Sequence, residues 1–298
     1  MKIDKSVEEI NNCLICRGSS IHSDKKFGAY LGLIEPYDIK ICGNCGLRWL
    51  SPRPTEAGYA DLYSYENYFD GKDAVECYPK LAAARRPYFA DRIRRIENLF
   101  PRAKKLEVLD IGAATGEFIH EAIKRGHKAT GIELSPGARL EASKNYSLSL
   151  LDTPIELLGD ENKFDVIHMN HVFEHLPYPD TTLAACHAHL RQGGLLVLEV
   201  PQQIYNDLDR LKRVLGIAKQ PQFTAYSLHH TYFFVPQTIT KLLEKKNFHV
   251  QRLTTSNLAR TPVRPFNIVN VLLTTLLFLS DITHRGGNII ELVAVRES

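Results

Sequence analysis

Two neighbouring segments of the sequence constrain the fold more than any others. Residues 108–116 read VLDIGAATG, in which three apolar residues around Asp110 predict a buried parallel strand and a tight turn. Seventeen positions after this turn comes Glu133, at the end of a second short strand, KATGIEL. A carboxylate at that point suits two neighbouring ribose hydroxyls. We therefore expect a nucleoside-bearing cofactor across the carboxyl ends of these two strands.

The residues of the turn narrow the choice of cofactor. A dinucleotide fingerprint, G-x-G-x-x-G, lets the helix N-terminus approach a pyrophosphate. Here the middle glycine is Ala114 and the third is Glu117, whose negative charge opposes a phosphate. The turn from Gly112 to Gly116 instead tolerates a cofactor without phosphates, which carries an amino acid and a nucleoside. The alternative is an ordinary strand, turn and helix followed by an incidental glutamate.

Four of the six cysteines form two Cys-x-x-Cys pairs, Cys13 with Cys16 and Cys42 with Cys45. In a reducing compartment such paired thiols favour zinc over disulfides. We expect the stretch between them, KKFGAYLGLIEPYDIKI, to form strands that bring the pairs together. A redox Cys-x-x-Cys is the alternative, but the presence of two copies favours structural zinc. Four cysteine ligands leave no open position for chemistry.

From residue 106 onward, strand and helix patterns alternate, which predicts an α/β fold with a doubly wound parallel sheet. The predicted strands are 107–111, 128–133, 147–151, 164–169, 194–200 and 248–255, with a last strand in NIIELVAVRE and a helix at 236–246. The predicted divisions are a zinc-ribbon-like module at 1–51, a tyrosine-rich segment and a basic helix interrupted near Pro87 at 52–104, and a cofactor-binding domain at 105–298 with cap insertions at 201–235 and 257–287.

Composition excludes some classes of function. The formal net charge of the 298-residue chain is +3, so its overall charge does not indicate a nucleic-acid-binding protein. The first residues, MKIDKSVEEINN, lack the apolar core of a secretory signal, and we expect a cytoplasmic protein. The apolar stretch at 266–283 is too short to span a membrane. A core or homodimer-interface helix and peripheral contact with a membrane surface remain open for it.

The segment FDVIHMNHVFEHLPYP contains a second candidate site after the fourth strand. Its His171-x-x-Glu174-His175 matches a zinc-protease pattern, but that pattern needs a continuous helix. A buried strand precedes these residues, and two prolines follow them, Pro177 and Pro179. We therefore do not expect a protease. Asn170 falls near the carboxyl end of the strand, beside the expected cofactor crevice.

These motifs together resemble the class I S-adenosylmethionine (SAM) methyltransferases. The glycine turn resembles their motif I, FDVIHMNHVFEHLPYP resembles their motif IV, and Arg191-Gln-Gly-Gly194 resembles the KxGG turn before their fifth strand. The resemblance implies a Rossmann-like sheet of seven strands whose last strand is antiparallel. It implies SAM as cofactor, with these residues at the binding site: Asp110, Gly112, Ala113, Gly116, Glu133, Asp152 and Asn170. For Asp152, a helix-capping role is the alternative.

Transfer of a methyl group to an alcohol needs a base, and histidine titrates in the useful range. His171 and His230 are the leading candidates, while His175 is expected mainly to fix the loop. Related quinone O-methyltransferases place Glu-x-x-Glu-His here, with a metal in some members. His171 replaces the first of these glutamates, so a catalytic metal is not expected.

The cysteine pairs and the tyrosine-rich segment are also similar to a subgroup of sugar methyltransferases from glycan gene clusters. This similarity implies a sugar-containing small-molecule acceptor. Two basic groups are typical of a solvated helix face, with capture of a phosphorylated acceptor as the alternative: Arg85, Arg86, Arg92, Arg94 and Arg95, then Arg210, Lys212 and Arg213. An RNA or quinone-like acceptor and a scaffolding protein without turnover are the other functions left open.

Overall fold

A computed structural model describes residues 7–55, 57–59, 78–101, 105–204, 228–256 and 287–297, and the structural statements below concern these residues. Three groups of predictions lie outside them. These are the helix at 266–283, the basic residues Arg210, Lys212 and Arg213, and most of the tyrosine-rich segment. Among the helices in the described ranges, none has both the length and the apolar character that crossing a membrane requires.

The elements of the N-terminal part are short. They are β1 (Val7–Glu8), β2 (Ile21–Ser23), α1 (Lys25–Tyr30), β3 (Ile39–Cys42), β4 (Arg48–Leu50), β5 (Arg53–Pro54) and the long helix α2 (Tyr78–Glu97). The expected all-strand link between the cysteine pairs is wrong in one respect, because it contains α1. Asp24 starts that helix by accepting a hydrogen bond from the backbone N–H of Phe27.

The remaining elements alternate as the sequence predicts. They are β6 (Glu107–Ile111), α3 (Glu117–Lys124), β7 (Lys128–Ile132), α4 (Pro136–Tyr146), β8 (Phe164–Asn170), α5 (Pro179–His189), β9 (Leu190–Pro201), β10 (Tyr232–Phe233), α6 (Pro236–Glu244), β11 (Phe248–Ser256) and β12 (Ile289–Arg296). Two single turns of 3-10 helix cover Ile155–Leu157 and Phe173–His175.

The larger sheet has the strand order β11-β12-β9-β8-β6-β7. Strands β7, β6, β8 and β9 are parallel, while β12 lies antiparallel between β9 and β11. This confirms the Rossmann-like α/β sheet and the antiparallel last strand. In the described residues it has six strands rather than seven. The predicted strand at 147–151 is reduced to a single parallel bridge between Leu151 and Ile132.

Two local features explain departures from the predicted elements. Ser147 ends α4 in the left-handed conformation, at a φ of 56°, so the chain is still turning where the 147–151 strand was expected to begin. Helix α2 runs through Pro87 without interruption, contrary to the predicted break. A proline lacks one N–H donor, so α2 loses one backbone hydrogen bond there without ending.

The small sheet of the N-terminal module contains one strand from a distant part of the chain. Its four strands have the order β10-β4-β3-β2, and β10 comes from residues 232–233, within the predicted cap insertion at 201–235. Tyr232 pairs with Trp49 in antiparallel register. Apolar residues of the module, including Leu14 and Trp49, share one buried cluster with Phe173 and Phe234. Module and main sheet are therefore joined by both backbone pairing and a common core.

Candidate functional site

The glycine turn after β6 is packed closely against side chains of neighbouring loops. Gly112 has a φ of 74°, and a Cβ there would lie 2.3 Å from a methyl group of Val172. Gly116 has a φ of 87°, and its Cβ would meet Leu148 at 2.6 Å. A side chain at either position would be strained and would clash. Ala113 and its neighbour Gly112 both donate their backbone N–H groups to the carbonyl of Ile132.

Glu133 lies where the sequence predicts it, at the end of β7 and beside the turn. Its carboxylate accepts hydrogen bonds from the backbone N–H of Ala114 at 2.9 Å and of Ser135 at 2.8 Å. Burial raises the pKa of Glu133, an effect that these two hydrogen bonds oppose. The carboxylate is thus fixed at the mouth of the turn, in a position that fits a ribose.

Asp110 makes its contact inside the protein. It is buried and accepts a hydrogen bond from Nδ1 of His168, on β8, at 2.7 Å. The His168 ring in turn stacks on Phe118, with ring centroids 3.9 Å apart. Burial raises the pKa of Asp110, although the His168 contact opposes this. The hydrogen bond between Asp110 and His168 therefore fixes the end of β6 just before the glycine turn. A direct contact of Asp110 with a cofactor stays a prediction.

Asn170 and Asp152 occupy very different environments. Asn170 ends β8, and its Nδ2 is buried without a hydrogen-bond partner in the described part of the chain. Such an orphaned donor beside the glycine turn fits a ligand that supplies an acceptor. The Asp152 side chain is 71% exposed and lies 3.8 Å from Arg139. The sequence did not single out Leu134, the residue after Glu133. It is an apolar residue that is 61% exposed beside the proposed nucleoside position.

His171 follows β8 and is held by two carboxylates from different elements. Its φ is 54°, and its backbone N–H donates to the carbonyl of Glu199. Its Nε2 lies 3.2 Å from Glu199 Oε1, and its Nδ1 lies 3.5 Å from Glu174 Oε1. Burial alone would lower the pKa of His171, but the two carboxylates raise it to about 9. This favours the protonated ring, which is not the form that accepts a proton, and the role of His171 as a base stays a prediction.

Glu174, His175 and His230 form a buried polar cluster beside His171, and each places a ligand atom within 4.8 Å of the others. His175 donates Nδ1–H to the carbonyl of His229 at 2.7 Å, and His230 bonds through Nδ1 to Gln203 Oε1 at 2.9 Å. Burial, assisted by the nearby His175, lowers the pKa of His230 to about 3. His230 is therefore neutral, and this carboxylate and imidazole set has the chemistry of a cation site as well as of a base.

The four cysteines of the two pairs come together as the sequence predicts. Their sulfur atoms all lie within 4.8 Å of one another, with Cys13 3.4 Å from Cys45 and Cys16 3.5 Å from Cys42. In a tetrahedral zinc site with Zn–S distances of about 2.3 Å, the sulfurs lie roughly 3.8 Å apart. Backbone N–H groups outweigh burial and lower the pKa of Cys42 to about 7, which favours a thiolate. The cluster fits a zinc ion.

Four arginines of α2 pair with carboxylates of the protein. Arg92 is buried between Glu199 and Glu291, and Arg95 lies 2.7 Å from Glu291. Arg86 pairs with Glu121, and Arg94 with Asp91. Arg92 is thus buried in an ion pair, whereas Arg94, whose side chain is 65% exposed, lies on a solvated face of the helix. Sequence reasoning missed the role of Arg92, although a lone Glu199 in the apolar strand LLVLEVP could have indicated a buried charge pair.

The chain is similar to known methyltransferases in both sequence and fold. The model of a family described as "Methyltransferase domain" matches residues 81–253. An S-adenosylmethionine-dependent methyltransferase from Clostridium acetobutylicum ATCC 824 has the same fold, with a TM-score of 0.51 at 15% identity over 75% of this chain and 100% of that one.

Curated relatives are similar over part of their length. A ubiquinone biosynthesis O-methyltransferase of Nitrosococcus oceani is 34% identical over 110 residues, which are 35% of this chain and 46% of the relative. A trans-aconitate 2-methyltransferase of Methylobacterium nodulans is 28% identical over 156 residues, 51% of this chain and 58% of the relative. The chain thus spans about half the length of these relatives. With its strand order, its glycine turn and the family match over more than half of its residues, the chain belongs to the methyltransferase domain family.

Proposed function

We propose that this protein transfers a methyl group from SAM to a small-molecule acceptor. One observation carries the proposal: Gly112, Glu133 and Asn170 meet at the carboxyl ends of three neighbouring parallel strands, β6, β7 and β8. A side chain at Gly112 would clash with Val172. The Glu133 carboxylate is fixed by two backbone N–H groups, and Nδ2 of Asn170 is buried without an acceptor among the described residues. This set suits a nucleoside joined to an amino acid.

The protein's contribution to the reaction is mainly alignment. SAM supplies a methyl group that is already electrophilic, so the site must hold an acceptor atom in line with it. Orientation of this kind is worth about 7–11 kcal/mol. Glu133 fixes the nucleoside end, and Asn170 binds the amino-acid end. His230 is the candidate to take a proton from an alcohol because its ring is neutral, but with a pKa of about 3 it is a weak base and needs the nearby Glu174 to stabilise the imidazolium that would form. The carboxylates of Glu174 and Glu199 favour the protonated form of His171.

For the acceptor we propose a hydroxyl or carbon of a sugar-containing molecule. The cluster of Glu174, His175, His229 and His230, together with Gln203, provides several polar groups in a buried setting, which suits a ligand rich in hydroxyls. A quinone-like phenol is the second candidate, favoured by the similarity to a ubiquinone biosynthesis O-methyltransferase. The paired arginines of α2 do not support phosphate recognition.

Calorimetric titration with SAM tests the cofactor assignment. We expect binding in the micromolar range, about that of metabolite affinities. Glu133→Gln should weaken binding by at least about tenfold, since it loses a charge-assisted hydrogen bond to the ribose. Glu141→Gln, a change at a half-buried carboxylate on the neighbouring α4, is the matched control. Absence of SAM binding to the folded wild-type protein would refute the proposal.

A transfer assay with labelled methyl groups then separates the two acceptor classes. Nucleotide sugars and simple glycosides form one panel, and catechols and demethylated quinols form the other. Turnover of a sugar that disappears in His230→Gln supports the first proposal. Turnover confined to the phenol panel would replace it with the second. His187→Gln, at a half-buried histidine of α5 that bonds to the carbonyl of Glu297 and lies outside the cluster, controls for loss of an imidazole.

We also propose that the cysteine cluster binds one structural zinc ion. Cys13, Cys16, Cys42 and Cys45 would be its ligands, with no position left for a substrate. Metal analysis should find about one equivalent per chain. Retention of full metal content after loss of two of these cysteines would contradict the assignment.

A further inference from the structure

Thr231 joins the N-terminal module to the loop that follows β8. It is completely buried and lies immediately before β10. Its carbonyl accepts the backbone N–H of Leu50 at 2.9 Å, and its own N–H donates to the carbonyl of Glu174 at 2.9 Å. Its hydroxyl lies 2.7 Å from the hydroxyl of Tyr59 and donates to the carbonyl of His175 at 3.3 Å. Every polar group of Thr231 is thus engaged.

The partners of Thr231 fall into two sets. Leu50 and Tyr59 belong to the N-terminal part of the chain, and Leu50 ends β4. Strand β4 pairs with β3, and β3 ends at Cys42, a member of the cysteine cluster. The strand beside Thr231 is therefore paired directly with the strand that carries Cys42. On the other side, Thr231 binds two consecutive carbonyls of the single turn Phe173–His175.

That turn presents the side chains of the polar cluster. Glu174 lies 3.5 Å from His171 and 3.6 Å from Nε2 of His175. The ring of His175 lies 4.8 Å from the ring of His230, the residue directly before Thr231. A shift of Thr231 consequently moves the backbone of both halves of the cluster. The hydrogen bonds of Gly112 and Glu133, by contrast, are made with Ile132, Ala114, Ser135, Arg139 and Leu151, which lie outside the 171–176 loop. From that loop, the Val172 side chain faces Gly112.

We propose that Thr231 is a positioning residue through which the cysteine module sets the geometry of the acceptor side of the site. This inference rests on the proposed function, because that function defines which side of the site binds the acceptor. The module then governs how Glu174, His175 and His230 face one another, while the glycine turn keeps its own shape. Removal of the metal or of the Thr231 hydroxyl disturbs acceptor handling and spares the affinity for SAM.

Three variants test this proposal. Thr231→Val keeps the shape and removes the hydroxyl, Thr231→Ser keeps the hydroxyl, and Thr182→Val removes another buried threonine hydroxyl bond, to Glu156. For each variant, hydrogen exchange is measured in the segments 171–176 and 228–233, and SAM affinity is measured separately. Once an acceptor is known, kcat and KM are added. We expect Thr231→Val to speed exchange in both segments about tenfold, with SAM affinity within about twofold of wild type. Thr231→Ser should restore slow exchange.

The double variant Cys13→Ser with Cys42→Ser provides a second, independent perturbation. It should speed exchange in the same two segments while the segment 110–120 keeps its protection. Unchanged exchange in Thr231→Val, or an equal increase in Thr182→Val, would overturn the proposal. So would a parallel loss of SAM affinity in Thr231→Val. Failure of the wild-type protein to bind SAM refutes the proposed function instead, since the exchange pattern does not depend on the cofactor.

Discussion

His171 and Glu199 hold each other at the carboxyl edge of the central sheet, with Nε2 and Oε1 3.2 Å apart. Glu199 lies on β9 opposite Asn170 of β8, and His171 follows directly. On its other side the Glu199 carboxylate is bound by Arg92 and Tyr88 from α2. One carboxylate therefore links the helix before the sheet to the loop that carries the polar cluster. The pair makes His171 a fixed cation, which changes what its replacement should do.

Glu199→Gln should lower the pKa of His171 from about 9 toward its usual value of 6.5, by about one unit. The reason is loss of one of two carboxylates that favour the imidazolium. Titration of the His171 ring by NMR measures the change. Glu291→Gln is the control, because Glu291 contacts Arg92 and Arg95 on the same network. An unchanged His171 pKa in Glu199→Gln would show that Glu174 alone sets the charge.

Stability should fall at alkaline pH through the same histidine. The pKa of His171 is raised in the folded state, so its contribution is complete below about pH 6.5 and is lost as pH rises through about 9. A shift of this size corresponds to about 3 kcal/mol. Urea unfolding at several pH values measures the loss. His171→Asn, which tolerates the positive φ, should show a flatter profile in this range. Identical profiles would contradict the ion pairs.

Gly112→Ala should abolish SAM binding by blocking the turn. The new Cβ would lie 2.3 Å from Val172 on a backbone at a φ of 74°. We expect a loss of stability of about 1–3 kcal/mol, measured by thermal unfolding, together with loss of the calorimetric signal. Gly193→Ala is a matched control, since its φ is 72° with nothing within 4 Å. Val172→Ala in the same chain should recover part of the stability. Normal SAM affinity in Gly112→Ala would be incompatible with the assigned site.

Replacement of Cys13 and Cys42 by serine should release the metal and loosen the module. Both cysteines share a buried cluster with Trp49, the single tryptophan of the chain. Metal analysis should show loss of about one equivalent, and Trp49 fluorescence should shift to the red as water reaches the ring. Cys186→Ala serves as control, because Cys186 is buried away from the cysteine cluster. Full metal content with an unshifted spectrum would rule out the zinc assignment.

The parts of the structure that the sequence predicts are those determined by neighbouring residues. The strand, turn and helix around Gly112 follow from local periodicity and backbone preference, and each Cys-x-x-Cys pair requires only a tight turn. The strand predicted at 147–151 failed for a local reason too, since the left-handed Ser147 leaves too few extended residues.

The features that the sequence could not predict depend on long-range contacts. The charge of His171 depends on Glu199 from another strand, and the pairing of Tyr232 with Trp49 joins residues 183 positions apart. Neither contact leaves a periodic pattern. The buried partners of Arg92 and Arg95 are hidden for the same reason, because a basic helix has the same sequence pattern whether or not carboxylates face it.

The pairing of β10 with β4 also orders events during synthesis. The ribosome delivers β2, β3 and β4 first, but the strand that closes their sheet ends at Phe233, 183 residues after Leu50. At about 5–20 residues per second, this delay is roughly 10–40 s. Throughout that interval the nascent module has an open edge at β4. Early capture of a metal ion by the cysteine pairs would protect the emerging chain until its last strand arrives.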